Sequence, residues 1–191
     1  SSPVVYNSIF SNNTALYGGG LYNESASTRL INCTMSGNLA FAEGGAMSTW
    51  GAVTPQITNS ILWGNSSGIR DAGGSTPAVS YSIIQGGYPG TANLNLDPWF
   101  IDQPVPGITS MGDLRLLACS PAINAGNNSI LPGAISTDLS GAARIVSSIV
   151  DMGAYERPLL PASGTIYVDA TATGNNTGEN WANAYTSVRS A

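Results

Sequence analysis

The side chains able to do chemistry in this chain are few. Eleven carboxylates and six arginines carry all of its charge, and there is no lysine and no histidine. Without histidine there is no Ser-His-Asp triad, no Cys-His dyad and no histidine-held zinc. The densest polar group is Asp97, Asp102, Asp113 and Arg115. A glycosidase needs two carboxylates roughly 5–9.5 Å apart across a groove, and no adjacent Asp-Asp or Glu-Glu pair occurs. Glu24 and Glu43 read as solvated, and the four-residue group reads as turn-forming side chains that hydrogen-bond locally. Calcium takes six to eight oxygens, and no Asp loop has that spacing. Gly18-Gly19-Gly20 lacks the following lysine of a phosphate loop and reads as a tight corner. No catalytic residue, cofactor or metal ligand is therefore assigned.

Other candidates are binding or modification sites. Tyr17, Tyr22, Trp50 and Trp63 are placed for sugar stacking if one face gathers them, and otherwise read as partly buried coil edges. Asn12, Asn23, Asn65, Asn127 and Asn175 head N-x-[ST] sequons and are candidate glycosylation sites; Asn32 heads a sixth, mid-strand. Cys33 and Cys119 read as two small buried hydrophobes rather than a pair.

These side chains need a scaffold, and the chain repeats. Val4-to-Asn13, Arg29-to-Asn38 and Gln56-to-Asn65 align, with the first Asn at 7, 32 and 59. Glycine knots separate the copies, each followed by a short apolar run: Leu21-Tyr22 and Ala46-Met47. A unit of about 25 residues cannot bury a core alone, but copies stacked as a coil share one. Each strand then pairs in parallel with its equivalent one turn on, about 4.8 Å away. Val5, Leu30 and Ile57 form one expected inward column, and Phe10, Met35 and Leu62 another. Their five-residue offset conflicts with the two-residue strand period, so a bend must fall between them. Asn7, Asn32 and Asn59 occupy that bend, where Asn tolerates left-handed backbone. Asn13, Asn38 and Asn65 follow the second column, and stacked amides can bond to their copies. An antiparallel sandwich also uses short strands but does not require aligned asparagines.

Composition limits the function. Only 9% of residues are charged, net charge is −5, and 42% are hydrophobic. A core is affordable, while no basic footprint for nucleic acid exists and no apolar run approaches a membrane span.

The Phe10-xx-Asn13, Met35-xx-Asn38, Leu62-xx-Asn65 and Gly44-Gly45-Ala46-Met47 pattern resembles bacterial right-handed parallel β-helix surface proteins, including the polymorphic outer-membrane protein type. Leu96-Asp97-Pro98-Trp99-Phe100, Ser120-Pro121-Ala122-Ile123-Asn124-Ala125-Gly126 and Val150-Asp151-Met152-Gly153-Ala154-Tyr155-Glu156 resemble the C-terminal part of secreted proteins of the choice-of-anchor type. Asn124 stands where that pattern has Asp. The resemblance implies an extracellular, surface-associated, mostly non-catalytic protein and supplies no ligand.

The expected organisation is an all-β chain: about three right-handed coils over 1–92, a capping region over 93–156, a linker over 157–164 and a cap-like segment over 165–191. Thr165 to Asp169 reads as a strand, and Trp181 to Tyr185 opens a short helix reaching Ala191. That last segment resembles the start of the same β-helix family, although it stands at the end here. It is therefore expected to dock on the open first coil of another copy, through Val4, Val5 and Tyr6 on one side and Ile166, Tyr167, Val168, Trp181 and Tyr185 on the other. Head-to-tail contacts of this kind build rings or filaments. A tail folded back on its own domain is the alternative. The expected function is a structural extracellular module, self-assembling or tandem; a carbohydrate-binding adhesive domain and a polysaccharide lyase, with Arg115 as its base, are the alternatives.

Overall fold

The computed structural model describes residues 2–158, 165–175 and 177–187. These form a parallel β-solenoid of about three turns. The first turn carries β1 (Val4–Tyr6), β2 (Ile9–Ser11), β3 (Thr14–Tyr17) and β4 (Leu21–Glu24). The second carries β5 (Arg29–Ile31), β6 (Thr34–Ser36), β7 (Leu39–Glu43) and β8 (Met47–Trp50). The third carries β9 (Gln56–Thr58), β10 (Ile61–Leu62) and β11 (Ile69–Ala72), and a partial turn adds β12 (Ala78–Ser80) and β13 (Ile83–Ile84). The sheets are stacks of equivalent strands: β1-β5-β9-β12, β2-β6-β10-β13, β4-β8-β11 and β3-β7.

Both expected columns form. Val5 pairs with Leu30 and Leu30 with Ile57; Phe10 pairs with Met35 and Met35 with Leu62. They meet in one interior cluster with Cys33, Met47, Val79 and Ile84. The bend between them is real: Asn7, Asn32 and Asn59 have φ of 46°, 50° and 49°. Tyr81 takes the same backbone in the partial turn, at φ 50°. After the second column an amide ladder runs through the stack. Asn13 Nδ2 donates to Asn38 Oδ1 at 2.9 Å, and Asn38 Nδ2 to Asn65 Oδ1 at 2.8 Å. The glycine knots make the tight corner: Gly19 and Gly20 donate to Gly44 and Gly45 carbonyls at 3.1 and 3.0 Å. A Cβ on Gly45 would lie 2.5 Å from the Ser67 nitrogen, so no larger residue fits.

The region read as a cap over 93–156 follows the last coil. Residues 91–94 do add a last rung over β13, with Leu94 bridged to Ile83. From Pro98 to Glu156 the chain lies along the side of the solenoid and touches every turn. Thr137, Asp151 and Asn127 carbonyls accept from the corner amides of Asn7, Asn32 and Asn59 at 2.6, 3.0 and 3.1 Å. Strand parity explains the apolar part of this contact. In the β2-β6-β10-β13 sheet the residues preceding the inward column face out, and Ile9, Ile61 and Ile83 there are apolar. They are covered by Phe100, Leu114, Leu116, Ala122 and Met152, which makes a second core. The antiparallel pair β14 (Phe100–Asp102) and β15 (Asp113–Leu116) belongs to this flank.

No α-helix occurs among the described residues; one 3-10 turn spans Asn128–Ile130. The helix expected from Trp181 is a turn over 181–183, and 188–191 lie outside the described residues, as does linker 159–164. The strand expected at Thr165 to Asp169 is reduced to one bridge, Val168 to Tyr185. The Ala182 and Asn183 turn brings Tyr185 back beside Tyr167, and that closes the pair before a strand can extend.

Candidate functional site

Two of the acids singled out in the sequence, Asp97 and Asp113, bond to groups two residues on. Asp97 Oδ1 accepts from the Trp99 N–H at 2.8 Å. Asp113 accepts from the Arg115 N–H at 3.1 Å and from its Nε at 2.9 Å. Burial pushes Asp113 upward, but the bonds from Arg115 outweigh it and hold the carboxyl below the usual range. Asp97 and Asp102 do line one open cavity of about 580 Å³. Arg115 lines a second cavity and is bonded to Asp113, whose strand partner Asp102 lines the first. Among the described residues, no three His, Cys, Asp or Glu side chains cluster to hold a metal.

The cysteines are unpaired as expected, but only one of them is buried. Cys33 is buried in the interior cluster, where burial pushes its thiol up to about 11; Cys119 is exposed and free. The backbone explains Cys119, because its φ of 65° belongs to an exposed turn rather than a strand.

The sequon asparagines divide by their position in the coils. Asn23 is 4% exposed and faces inward, its Nδ2 donating to the Ala26 carbonyl and its Oδ1 accepting from Thr28. Asn65 Nδ2 donates to the Met35 carbonyl at 2.9 Å within the ladder. Asn12 Nδ2 donates to the Ser110 carbonyl, and Asn32 is fully buried. In the folded chain these four amide nitrogens are engaged in hydrogen bonds. Asn127 is half-buried and Asn175 is exposed.

Of the four aromatics, Trp63 packs against the second core. Tyr17, Tyr22 and Trp50 are 40%, 46% and 45% exposed and share one flank of the solenoid. Arg70 is the residue that joins them, and sequence reasoning missed it. It stands outward on β11, over the small Ser48 on β8. Its Nε donates to Glu43 Oε2 at 2.7 Å, and its guanidinium lies 4.9 Å from the Tyr17 ring and 5.8 Å from the Trp50 ring. Aligning Leu21, Met47 and Ile69 as a third inward column would have placed Tyr22, Ser48 and Arg70 in one outward row.

A second unforeseen group is fully interior. Arg144 and Glu156 form an ion pair at 2.8 Å with both side chains 1% exposed. Arg144 Nη1 also donates to Asn7 Oδ1 at 3.2 Å, tying flank to first turn. Burial, and then the Asp151 carboxylate, push Glu156 up to about 7; burial also raises Asp151. A carboxyl raised in the fold binds its proton more tightly folded than unfolded, so stability is fully present below about pH 4.5 and is lost as pH rises through 7. The linkage is at most about 3.5 kcal/mol, at about 1.4 kcal/mol per pH unit of displacement. Asp113, held low, acts in the opposite sense only in strongly acid solution. Thermal melts followed by circular dichroism should therefore give a higher Tm at pH 5 than at pH 8, and Glu156→Gln should flatten that slope. A Tm equal at both pH values in the parent chain would contradict this.

The residues assigned to assembly fall into two sets. Val4 and Tyr6 are exposed on β1, and Val5 is half-buried at the end of its column. In the tail, Ile166 and Trp181 are 39% and 65% exposed, while Tyr167 and Val168 are half-buried. Tyr167 and Trp181 meet edge to face at 5.0 Å. Tyr185 is 3% exposed, so it is not free for a neighbour as expected. Its ring packs on Gly178 and lies 5.9 Å from the Arg157 guanidinium. The tail sits against its own flank here, around a cavity of about 570 Å³ that Tyr155, Pro158, Asn175 and Thr177 also line. No helix among the described residues is long and apolar enough to cross a membrane.

Comparison with protein-family models, with curated proteins and with solved structures found no match to this chain.

Proposed function

We propose that this chain is a structural module of an extracellular fibre or surface array, in which the first turn is continued by the tail of a neighbouring module, covalently joined or not. The observation that carries the reading is the difference between the two ends of the stack. At the last rung β13 is paired by residues 91–94 and Tyr88 packs against the interior, so Val79 and Ile84 are buried although β11 and β12 keep one unpaired side. At the first turn, β1, β2, β3 and β4 each pair on one side only. Val5, Phe10 and Leu21 are half-buried there, where their partners Leu30, Met35 and Met47 are fully buried. Such an edge is a template for another β-segment. The tail offers the segment bridged at Val168, with Ile166 and Trp181 still exposed. The absence of lysine and the wealth of small polar residues suit a hydrated scaffold outside the cell.

Light scattering over a concentration series tests this. The full chain is expected to grow in mass with concentration, and a variant lacking 163–191 to remain monomeric with an unchanged β spectrum. A full chain that stays monomeric at every concentration, or growth that survives the deletion, would overturn non-covalent docking.

A further inference from the structure

We propose that the outward face of β4, β8 and β11 is a binding platform for a neutral polysaccharide. Its rows are fixed by register: Tyr22, Ser48 and Arg70 in one, Glu24, Trp50 and Ala72 in the next. Ser48 is short, and Arg70 lies across it, its Nη1 3.4 Å from the Ser48 Oγ. The guanidinium is thus held between the Tyr17 and Trp50 rings and is anchored by Glu43. The result is a set of exposed rings beside a planar donor and a carboxylate acceptor.

That combination matches a pyranose. One face of the sugar presents C–H groups that stack on an aromatic ring, and its rim presents hydroxyls that both donate and accept. Arg70 and Glu43 supply the complementary donor and acceptor, already oriented, so little side-chain entropy is lost on binding. Tyr17 and Tyr22 come from the first turn and Trp50 from the second, about 4.8 Å on, so the rings are spread over successive coils, which favours a polymer over a single sugar. Charge selects the neutral class. Arg70 is already met by Glu43, Glu24 borders the rings, and the chain carries −5 overall. An anionic polymer would be repelled. A protein partner would have to desolvate the Arg70–Glu43 pair, which is costly.

Affinity electrophoresis of the whole chain tests it, with soluble β-glucan, galactomannan and xyloglucan as neutral probes and polygalacturonate as the anionic one. At least one neutral probe should retard the chain. Trp50→Ala and Arg70→Met should each weaken that retardation at least tenfold, and Tyr17→Ala serves if either fails to fold. Phe41→Ala, a 73% exposed ring on β7, should change nothing. Removing 163–191 should also leave binding intact, which separates this proposal from the assembly reading. No retardation by any neutral probe, retardation by polygalacturonate alone, or retardation indifferent to Trp50, Arg70 and Tyr17 would overturn it.

Discussion

Arg144→Met is expected to cost the fold about 4 kcal/mol, because removing one partner of a buried ion pair leaves the other charge uncompensated. The guanidinium is 1% exposed and reaches Glu156, the Asn7 amide oxygen, and the carbonyls of Gly153 and Ala154 at 3.2 Å each. Methionine fills much of the volume and satisfies none of these acceptors. Two carboxylates, Glu156 and Asp151, would then face each other with Arg157, acting on Asp151, as the remaining cation. The urea midpoint should fall sharply at pH 8. It should fall less at pH 5, where Glu156, titrating near 7, carries its proton and only carbonyls are left unmet. Adding Glu156→Met should recover part of the loss at pH 8, since an apolar replacement of the whole pair can be close to neutral. A loss that is the same at both pH values, and not relieved by the second substitution, would show that Arg144 acts through packing alone.

The interior of the solenoid could be read from the chain because its signals are local and repeated. Val5, Leu30 and Ile57 recur at the same place relative to Asn7, Asn32 and Asn59, and a parallel coil converts that recurrence directly into contact. The five-residue offset to Phe10 demanded a bend, and asparagine supplied residues that adopt one at small cost. The flank carries no such period. Pro98 to Glu156 touches the coils through backbone carbonyls that accept from the corner amides, and a carbonyl is common to every residue. The second core was hidden for a related reason: Ile9, Ile61 and Ile83 occupy the outward parity, where apolar side chains imply a cover without naming it.

The same distinction governs the two side-chain groups that matter most. Arg144 and Glu156 are twelve residues apart in an aperiodic segment, and nothing in their spacing marks them as buried partners. Tyr17, Trp50 and Arg70 lie on three different turns, at unequal distances from the glycine knots. Tyr17 aligns with Glu43 only across a register shift in the β3-β7 pair. Arg70 reaches across two turns because its side chain is long and Ser48 is short, a relation between rows that a one-dimensional alignment of equivalent positions does not display.

Asn38→Ala should be the most damaging change within the coils, at about 4 kcal/mol, and its neighbours in the ladder should be graded below it. Asn38 is fully buried. Its Oδ1 accepts from both the Asn13 N–H and the Asn13 amide at 3.1 and 2.9 Å. Its Nδ2 donates to the Phe10 carbonyl and to Asn65 Oδ1, both at 2.8 Å. Alanine leaves these groups unpaired inside the stack, where each buried orphan costs about 1–3 kcal/mol. Aspartate is no remedy: it keeps the acceptor and loses the donor, and it sets a carboxylate against the Asn65 and Phe10 oxygens. Asn65→Ala removes one rung and one bond to the Met35 carbonyl, so it should cost less. Asn13→Ala, at the exposed end of the ladder, should cost under about 1 kcal/mol, since water can replace its bonds. Urea midpoints of the three alanine variants measure this order. Equal losses at all three positions would mean that the amides act singly at their own turns, and that the ladder adds nothing to the sum of its rungs.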